Sequence, residues 1–217
     1  MRYKKNKDNV YQYDPTTKDY LIALSYFPNY IKLINPEGKN YQKVHSWLLE
    51  NEERLKNDDV PFPTITEISN TVKQGSSVVK RSLINLYEDI VLLNESSPEL
   101  FLSERQILCN LYFDYLGRHS GFSLGLKRIP KVNEGFSFNF IKPKLGSYMF
   151  HVASIYHNIT NNGQEIDIYL YHGLPNNYLK LLKEKAYLHN QITFMEYCTS
   201  ENESEVERKI LSLNKSL

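Results

Sequence analysis

The sequence predicts an α+β protein in which helices come first and a mainly antiparallel sheet, with helices on one face, follows them. Three observations indicate this order. Apolar residues from 41 to 93 recur at alternating spacings of three and four, which is typical of amphipathic helices. From Phe122 onward apolar and polar residues alternate, as on a strand with one buried face. Asn161-Asn162-Gly163 is a hairpin-turn signal between two such strands.

The N-terminal segment 1–40 is predicted to be a basic arm followed by a short strand and a turn. The arm carries the cations Arg2, Lys4, Lys5 and Lys7. It could follow the phosphate backbone of DNA or enter a minor groove, and it could equally be a solvated, disordered terminus. Residues 30–34 alternate like a strand, and Asn-Pro-Glu-Gly at 35–38 is a turn signal.

Helix starts are marked by capping boxes, in which two side chains three residues apart satisfy otherwise unpaired backbone N–H groups. The pairs are Thr64 with Glu67, Ser103 with Gln106, and Ser200 with Glu203. An earlier helix is expected over 41–55. Two prolines in the loop 58–63 prevent that helix from continuing, and its expected buried residues are Val44, Trp47, Leu48 and Leu55.

Residues 64–86 indicate two short amphipathic helices joined by a three-residue turn. The small Ser69 lets the helices approach closely, and Gly75 is expected in a tight reversal that excludes a bulky side chain. This arrangement is typical of a helix-turn-helix, which presents its second helix to a DNA major groove. The predicted apolar seam consists of Ile65, Ile68, Val72, Val79, Leu83, Leu86, Ile90 and Leu93.

The same segment resembles the helix-turn-helix of winged-helix bacterial regulators. Lys73 departs from the pattern, because the family usually has Gly there. The resemblance covers about 41–103 and implies a winged helix-turn-helix, with wing strands at 91–94 and 100–102. Glu95 and Glu99 at the expected wing tip argue against that wing touching phosphate. The residues that match are Thr64, Glu67, Ile68, Ser69, Val72, Gly75, Ser77, Val79, Arg81, Leu83 and Leu86.

We divide the chain into the basic arm with its strand and turn (1–40), the winged helix-turn-helix (41–103) and an α+β domain (104–217). In the last part, the patterns predict helices over 104–116, 175–189 and 201–213. They predict strands over 136–140, 149–157, 166–170 and 192–198.

The composition limits the classes of function that the protein can have. The 217 residues are 41% hydrophobic and 24% charged, which is ordinary for a globular protein, and the net charge of +1 argues against a protein coated in nucleic acid. The sequence contains no apolar run of membrane-spanning length and no signal peptide. Cys109 and Cys198 lack metal-type spacing and indicate a reducing compartment. We therefore expect a cytoplasmic protein without membrane contact.

The candidate DNA-binding residues lie in and after the turn. Ser76, Ser77, Lys80, Arg81 and Asn85 point away from the predicted seam and could reach bases and phosphates. Lys73 and Gln74, with the following helix N-terminus, could hold a phosphate. The resemblance makes Arg81 the leading residue, because a guanidinium can bridge two acceptors on guanine or phosphate. The alternative is a solvated polar face in which Arg81 pairs with Glu88 or Asp89.

Other candidate chemistry is weaker. His151 and His157 are expected on one face of a strand, as ordinary half-buried histidines rather than metal ligands. Glu165 and Asp167 share a strand face, as acidic residues of metal-dependent nucleases do, but no Lys follows at short spacing. We expect no cofactor, no metal and no enzymatic activity.

The sequence therefore predicts a protein that binds double-stranded DNA, as a transcription regulator or as a replication or mobile-element accessory factor. A homodimer is expected, since two half-sites compensate for one short recognition helix. Two alternatives stay open: a winged helix used only for protein contact, and a nuclease using Glu165 and Asp167.

Overall fold

The computed structural model describes residues 3–5, 11–57, 59–160, 163–175 and 177–198, together with 209, 210 and 212. The chain divides into two compact units, 1–174 and 175–217.

The first unit begins with a short hairpin and a layer of helices. Strand β1 (Tyr3–Lys5) pairs antiparallel with β2 (Tyr11–Tyr13), so part of the predicted arm is a strand, while Arg2 and Lys7 lie outside the described residues. The helices that follow are α1 (Thr17–Ser25), α2 (Pro28–Lys32), α3 (Gln42–Glu50), α4 (Glu52–Lys56), α5 (Ile65–Val72) and α6 (Ser76–Ser96).

The predicted strand over 30–34 is wrong, because this segment forms α2. Pro28 occupies the first turn of the helix, where its missing N–H costs nothing. Ile31 is fully buried, and the ring of Tyr30 packs between Phe101 and Phe140. Packing against these aromatic rings outweighs the weak strand-like alternation of a five-residue segment.

The wing predicted over 90–103 is also wrong at that position. Helix α6 continues to Ser96, and a 3₁₀ turn (Pro98–Phe101) follows. Ile90, Val91 and Asn94 are buried at helical spacing, so the apolar seam of α6 extends through the residues assigned to the first wing strand.

The predicted helix over 104–116 is instead strand β3 (Ile107–Tyr115). The Gln106 side chain accepts a hydrogen bond from the Ser103 N–H, which is half of the expected capping box, but no helix follows it. The buried residues Cys109, Leu111 and Phe113 alternate along the strand. Pairing with the next strand in a hairpin on one side, and with a strand much later in the chain on the other, decides between two patterns that the local sequence leaves nearly equal.

The strands that follow β3 are β4 (Arg118–Leu126), β5 (Gly135–Ser137), β6 (Met149–Thr160) and β7 (Gly163–His172). Together with β3 they form a five-stranded sheet in the order β4-β3-β7-β6-β5. A short helix, α7 (Lys142–Leu145), precedes β6. The α+β class is confirmed, but the sheet is mixed rather than purely antiparallel. Strand β7 lies between β6 and β3, and it runs parallel to β3.

Several predicted strands of this sheet are present. The strands expected at 149–157 and 166–170 lie within β6 and β7, which pair antiparallel with Thr160 opposite Gly163. The turn residues Asn161 and Asn162 between them lie outside the described residues. The strand expected over 136–140 is shorter, since β5 ends at Ser137 and a 3₁₀ turn (Asn139–Ile141) follows.

Aromatic side chains join the helices to one face of the sheet. The Tyr87 ring of α6 stacks on Phe140, with 4.8 Å between centroids, and the Tyr87 hydroxyl donates to the Phe140 carbonyl. The Phe122 ring of β4 also packs on Phe140, with 5.1 Å between the two ring centroids. Residues of all three predicted parts of the chain share this core, so the boundary that we placed between 103 and 104 falls within the first unit.

The second unit contains α8 (Asn177–Leu188) and α9 (Phe194–Cys198) around a small cluster of Leu182, Ala186, Ile192 and Ile210. The helix expected over 175–189 is confirmed. The strand expected over 192–198 is wrong, because Thr193 and Glu196 form a reciprocal capping box that begins α9. Most of the predicted helix over 201–213, with Ser200 and Glu203, lies outside the described residues.

Candidate nucleic-acid interface

The first helix of the predicted helix-turn-helix is α5, and its N-terminus is built as the sequence indicates. The Thr64 hydroxyl accepts a hydrogen bond from the Glu67 N–H at 3.2 Å. The Glu67 carboxylate makes its short contact with Arg54 of α4, at 2.5 Å, and this hydrogen bond is the main cause that lowers the Glu67 pKa. This ion pair neutralises Glu67, the acidic residue of α5.

The turn between α5 and α6 depends on Lys73 rather than on Gly75. Lys73 has φ 53° and ψ 50°, in the left-handed region, and its N–H and that of Gln74 both donate to the Ser69 carbonyl. Gly75 has φ −66°, and open space surrounds the position of a Cβ there. Our expectation that Gly75 excludes a side chain is therefore wrong. The conformation that favours glycine lies at Lys73, where the resembled family has Gly.

This geometry makes Lys73→Gly informative. Glycine relieves the left-handed strain, so we expect the free energy of unfolding to rise by about 1 kcal/mol, measured by urea denaturation. If Lys73 contacts phosphate, the same variant should bind duplex DNA more weakly, because it loses one cation. Lys73→Ala is the control that removes the cation without relieving the strain. A Lys73→Gly variant less stable than Lys73→Ala would contradict the assignment of strain.

The second helix begins directly after this turn. The Ser69 and Ser76 hydroxyls are 3.1 Å apart, so the two helices are in close contact at their junction. The first turn of α6 has no side-chain cap and no acidic residue. The N–H groups of Val78 and Val79 donate to the Gly75 carbonyl, so the N–H groups of Ser76 and Ser77, with the partial positive charge of the helix, are the ones available to an anion.

The exposed face of the first two turns of α6 carries most of the predicted residues. Ser76, Ser77, Lys80 and Arg81 are exposed, while Val79 and Leu83 are fully buried behind them. Sequence reasoning missed Val78, whose side chain is 44% exposed on this face. The sequence did indicate this exposure. Val79 belongs to the buried apolar seam, so the adjacent Val78 points away from the core. An exposed valine can contact the methyl group of thymine.

The three cations of this region are not neutralised by neighbours. Among the described residues, Lys73, Lys80 and Arg81 form none of the ion pairs. Asp89, one of the two partners considered for Arg81, accepts instead from Lys39 and from the Tyr41 hydroxyl. The turn and the start of α6 therefore form an uncompensated basic surface of Lys73, Lys80 and Arg81.

Two predicted residues are less accessible. Asn85 is half-buried, and its amide donates to the Asn40 side chain at 3.3 Å, while the nearby Ser82 hydroxyl donates to the Asn40 carbonyl. Gln74 is half-buried, with its Oε1 buried and without a hydrogen-bond partner in the described part of the chain. Of the seven predicted residues, the exposed ones are therefore Lys73, Ser76, Ser77, Lys80 and Arg81.

The acidic residues that argued against a phosphate contact lie far from this surface. Glu95 is in the last turn of α6, about 28 Å from Ser76 at 1.5 Å per residue. Its carboxylate approaches Lys144 at 3.9 Å. Glu99 follows in the 3₁₀ turn. Because these carboxylates are not on a wing beside the start of α6, they would not repel an anion bound there.

The histidine and carboxylate candidates do not form a metal site in the described part of the chain. His151 lies opposite Tyr171 and His157 opposite Ile166, so the two histidines face opposite sides of the sheet. Our expectation that they share a face is wrong, because a bulge between Val152 and Ser154 shifts the alternation by one residue. Both carboxylate oxygens of Asp167 accept hydrogen bonds, from the Asn110 and Asn158 amides. Within the described residues, no group of three or more His, Cys, Asp or Glu side chains could hold a metal.

Comparison of the chain with protein-family models, curated proteins and solved structures finds no match. None of the helices in the described part of the chain has both the length and the apolar character required to cross a membrane.

Proposed function

We infer that this protein binds double-stranded DNA through the α5–turn–α6 unit. The observation that carries the inference is the uncompensated basic surface at the exposed, uncapped start of α6. A short turn holds α5 against this end of α6, and a fully buried aliphatic seam supports the helix from behind. These are the features that a recognition helix needs in order to enter a major groove.

Each part of this surface has a distinct role in the proposal. Arg81 lies opposite the buried seam, and its guanidinium reads guanine or clamps a phosphate. Lys73 and Lys80 contact phosphates, as do the hydroxyls of Ser76 and Ser77 and the first N–H groups of α6. The small number of cations implies modest affinity per protomer, so a homodimer on two half-sites is part of the proposal. A transcription regulator, or a replication or mobile-element accessory factor, fits this mode of binding.

Fluorescence anisotropy with labelled random-sequence duplex DNA tests the proposal. For one protomer bound to random-sequence DNA, three phosphate contacts release about three counterions, so we expect affinity to fall about 40-fold between 50 and 200 mM salt. An acidic protein added as a competitor should displace little DNA, since duplex geometry contributes to binding. Absence of duplex binding at the lower salt concentration would overturn the proposal and favour a helix-turn-helix that contacts only protein.

A further inference from the structure

One long edge of the five-stranded sheet is open in the described part of the chain. Strand β5 pairs with β6 only at 149–151, and backbone hydrogen bonds from Asn133 and to Glu134 extend this contact as far as Val152. Beyond Val152, β6 continues to Thr160 with β7 on one side and no described strand on the other. Unpaired strand edges are templates for pairing with another chain.

The open edge lacks the features that usually prevent such pairing. Residues 154–160 read Ser-Ile-Tyr-His-Asn-Ile-Thr, with no charged residue and no proline. Ile159 is 78% exposed, and Tyr156, His157 and Asn158 are exposed as well. The bulge at Ala153 marks the point where pairing with β5 has stopped. From there, the edge consists of residues that favour strands.

The register shows which backbone groups face outward. Val152 directs its N–H and C=O away from β7, toward Asn133 and Glu134. At the other end, Thr160 and Gly163 flank a two-residue hairpin connection, so the Thr160 backbone bonds toward β7. Alternation along an antiparallel ladder then places the N–H and C=O groups of Ile155, His157 and Ile159 on the open edge.

The edge sequence is nearly the same when read backwards. Around His157 as the centre, Tyr156 corresponds to Asn158, Ile155 to Ile159, and the hydroxyl residue Ser154 to Thr160. An antiparallel partner with the same sequence would therefore place Ile opposite Ile and Ser opposite Thr, with Tyr156 opposite Asn158 as the one unlike pair. Since 155, 157 and 159 all face outward, such a partner also aligns donors with acceptors in the same register.

We propose that two copies of this chain dimerise by antiparallel pairing of their β6 edges around a two-fold axis at His157. Ile155 lies opposite the partner's Ile159, and the partner's Ile155 lies opposite Ile159. Pairs of β-branched side chains stabilise antiparallel strands, and this pairing covers the most exposed residue of the edge. Tyr156 lies opposite the partner's Asn158 on the other face of the sheet. The same surface patch serves both protomers, as a closed two-fold interface requires.

This dimer does not rest on DNA binding, because it uses a different surface and a different physical interaction. It goes beyond the homodimer of the proposed function by assigning the residues that form it. One strand pair is a small interface, so we expect a dissociation constant on the order of micromolar.

Charge exchange at the two-fold axis tests the register. In His157→Lys and in His157→Glu, each new charge lies directly opposite its own copy, which should raise the dimer dissociation constant about 100-fold. An equimolar mixture of the two variants places opposite charges together and should restore a dimer. Ile107→Lys, at an exposed isoleucine of β3, is the matched control and should remain dimeric. Sedimentation equilibrium without DNA, at about 50 μM protomer, measures all four samples beside the unaltered protein.

Restoration of the dimer in the mixture also shows that both variants fold, because unfolded chains would not recover a defined pairing. A monomeric unaltered protein under these conditions overturns the proposal. So does a His157→Lys variant that stays dimeric, or a mixture that stays monomeric. Loss of DNA binding in a variant that still dimerises would bear only on the proposed function.

Discussion

Replacement of both Lys80 and Arg81 by alanine is expected to weaken duplex DNA binding about 100-fold at low salt. Both side chains are exposed near the N-terminus of α6, and neither forms an ion pair among the described residues. Their charge is therefore available to DNA rather than to the fold. Arg81→Ala alone should cost on the order of 1–3 kcal/mol of binding free energy, because a guanidinium can contact two acceptors at once.

A control must separate local contacts from the loss of net charge. Lys127 and Lys131 are exposed on the loop after β4, and Lys127→Ala with Lys131→Ala removes the same two charges. We expect this control variant to keep its affinity within about threefold. The Lys80 and Arg81 variant should unfold at the same urea concentration as the unaltered protein, since neither side chain contributes to the core. Equal losses of affinity in the two variants would contradict a specific role for α6.

Asn94→Leu is expected to reduce the free energy of unfolding by about 3 kcal/mol. Asn94 is 3% exposed near the end of α6, and its amide bonds both the N–H and the C=O of Ser123 on the edge strand β4. The side chain thus takes the place of a neighbouring strand at this point. Leucine leaves both backbone groups without a partner, and each buried unsatisfied group costs about 1–3 kcal/mol.

Urea denaturation followed by the fluorescence of Trp47 measures this effect. Trp47 is the single tryptophan and is buried in the core of the first unit, so it reports on the fold that Asn94 stabilises. Asn85→Leu is the matched control, since its amide makes an exposed hydrogen bond on the same helix and its loss should cost less than about 1 kcal/mol. Equal destabilisation by the two substitutions would contradict the role of Asn94 at the sheet edge.

Helices α5 and α6 and the short turn between them could be predicted from the sequence because their signals are local. The cap at Thr64 and the aliphatic seam from Ile68 to Ile90 act within one or two helical turns, and both are present in the structure. The position of the left-handed residue could not be derived in the same way. Lys73 adopts this conformation because two backbone N–H groups must reach the Ser69 carbonyl, although its side chain disfavours it.

The errors in the sheet arise from pairing between strands, which the apolar pattern of a single segment does not specify. The segment 104–116 has apolar residues that satisfy both a helical and an alternating pattern, and pairing with β4 and β7 selects the strand. The bulge at Ala153 could not be anticipated, and it reverses the faces of all later residues of β6. The open edge of β6 is likewise visible only once the pairing with β5 is seen to stop at His151.

The measurement that tests the central claim most directly is the salt dependence of duplex binding, compared between the unaltered protein and the Lys80 and Arg81 double variant. Loss of two phosphate contacts should reduce the slope of log affinity against log salt by about two. Between 50 and 200 mM salt, affinity should then fall about 40-fold for the unaltered protein and only about fourfold for the variant. Equal slopes for the two proteins would contradict DNA binding by the N-terminal end of α6.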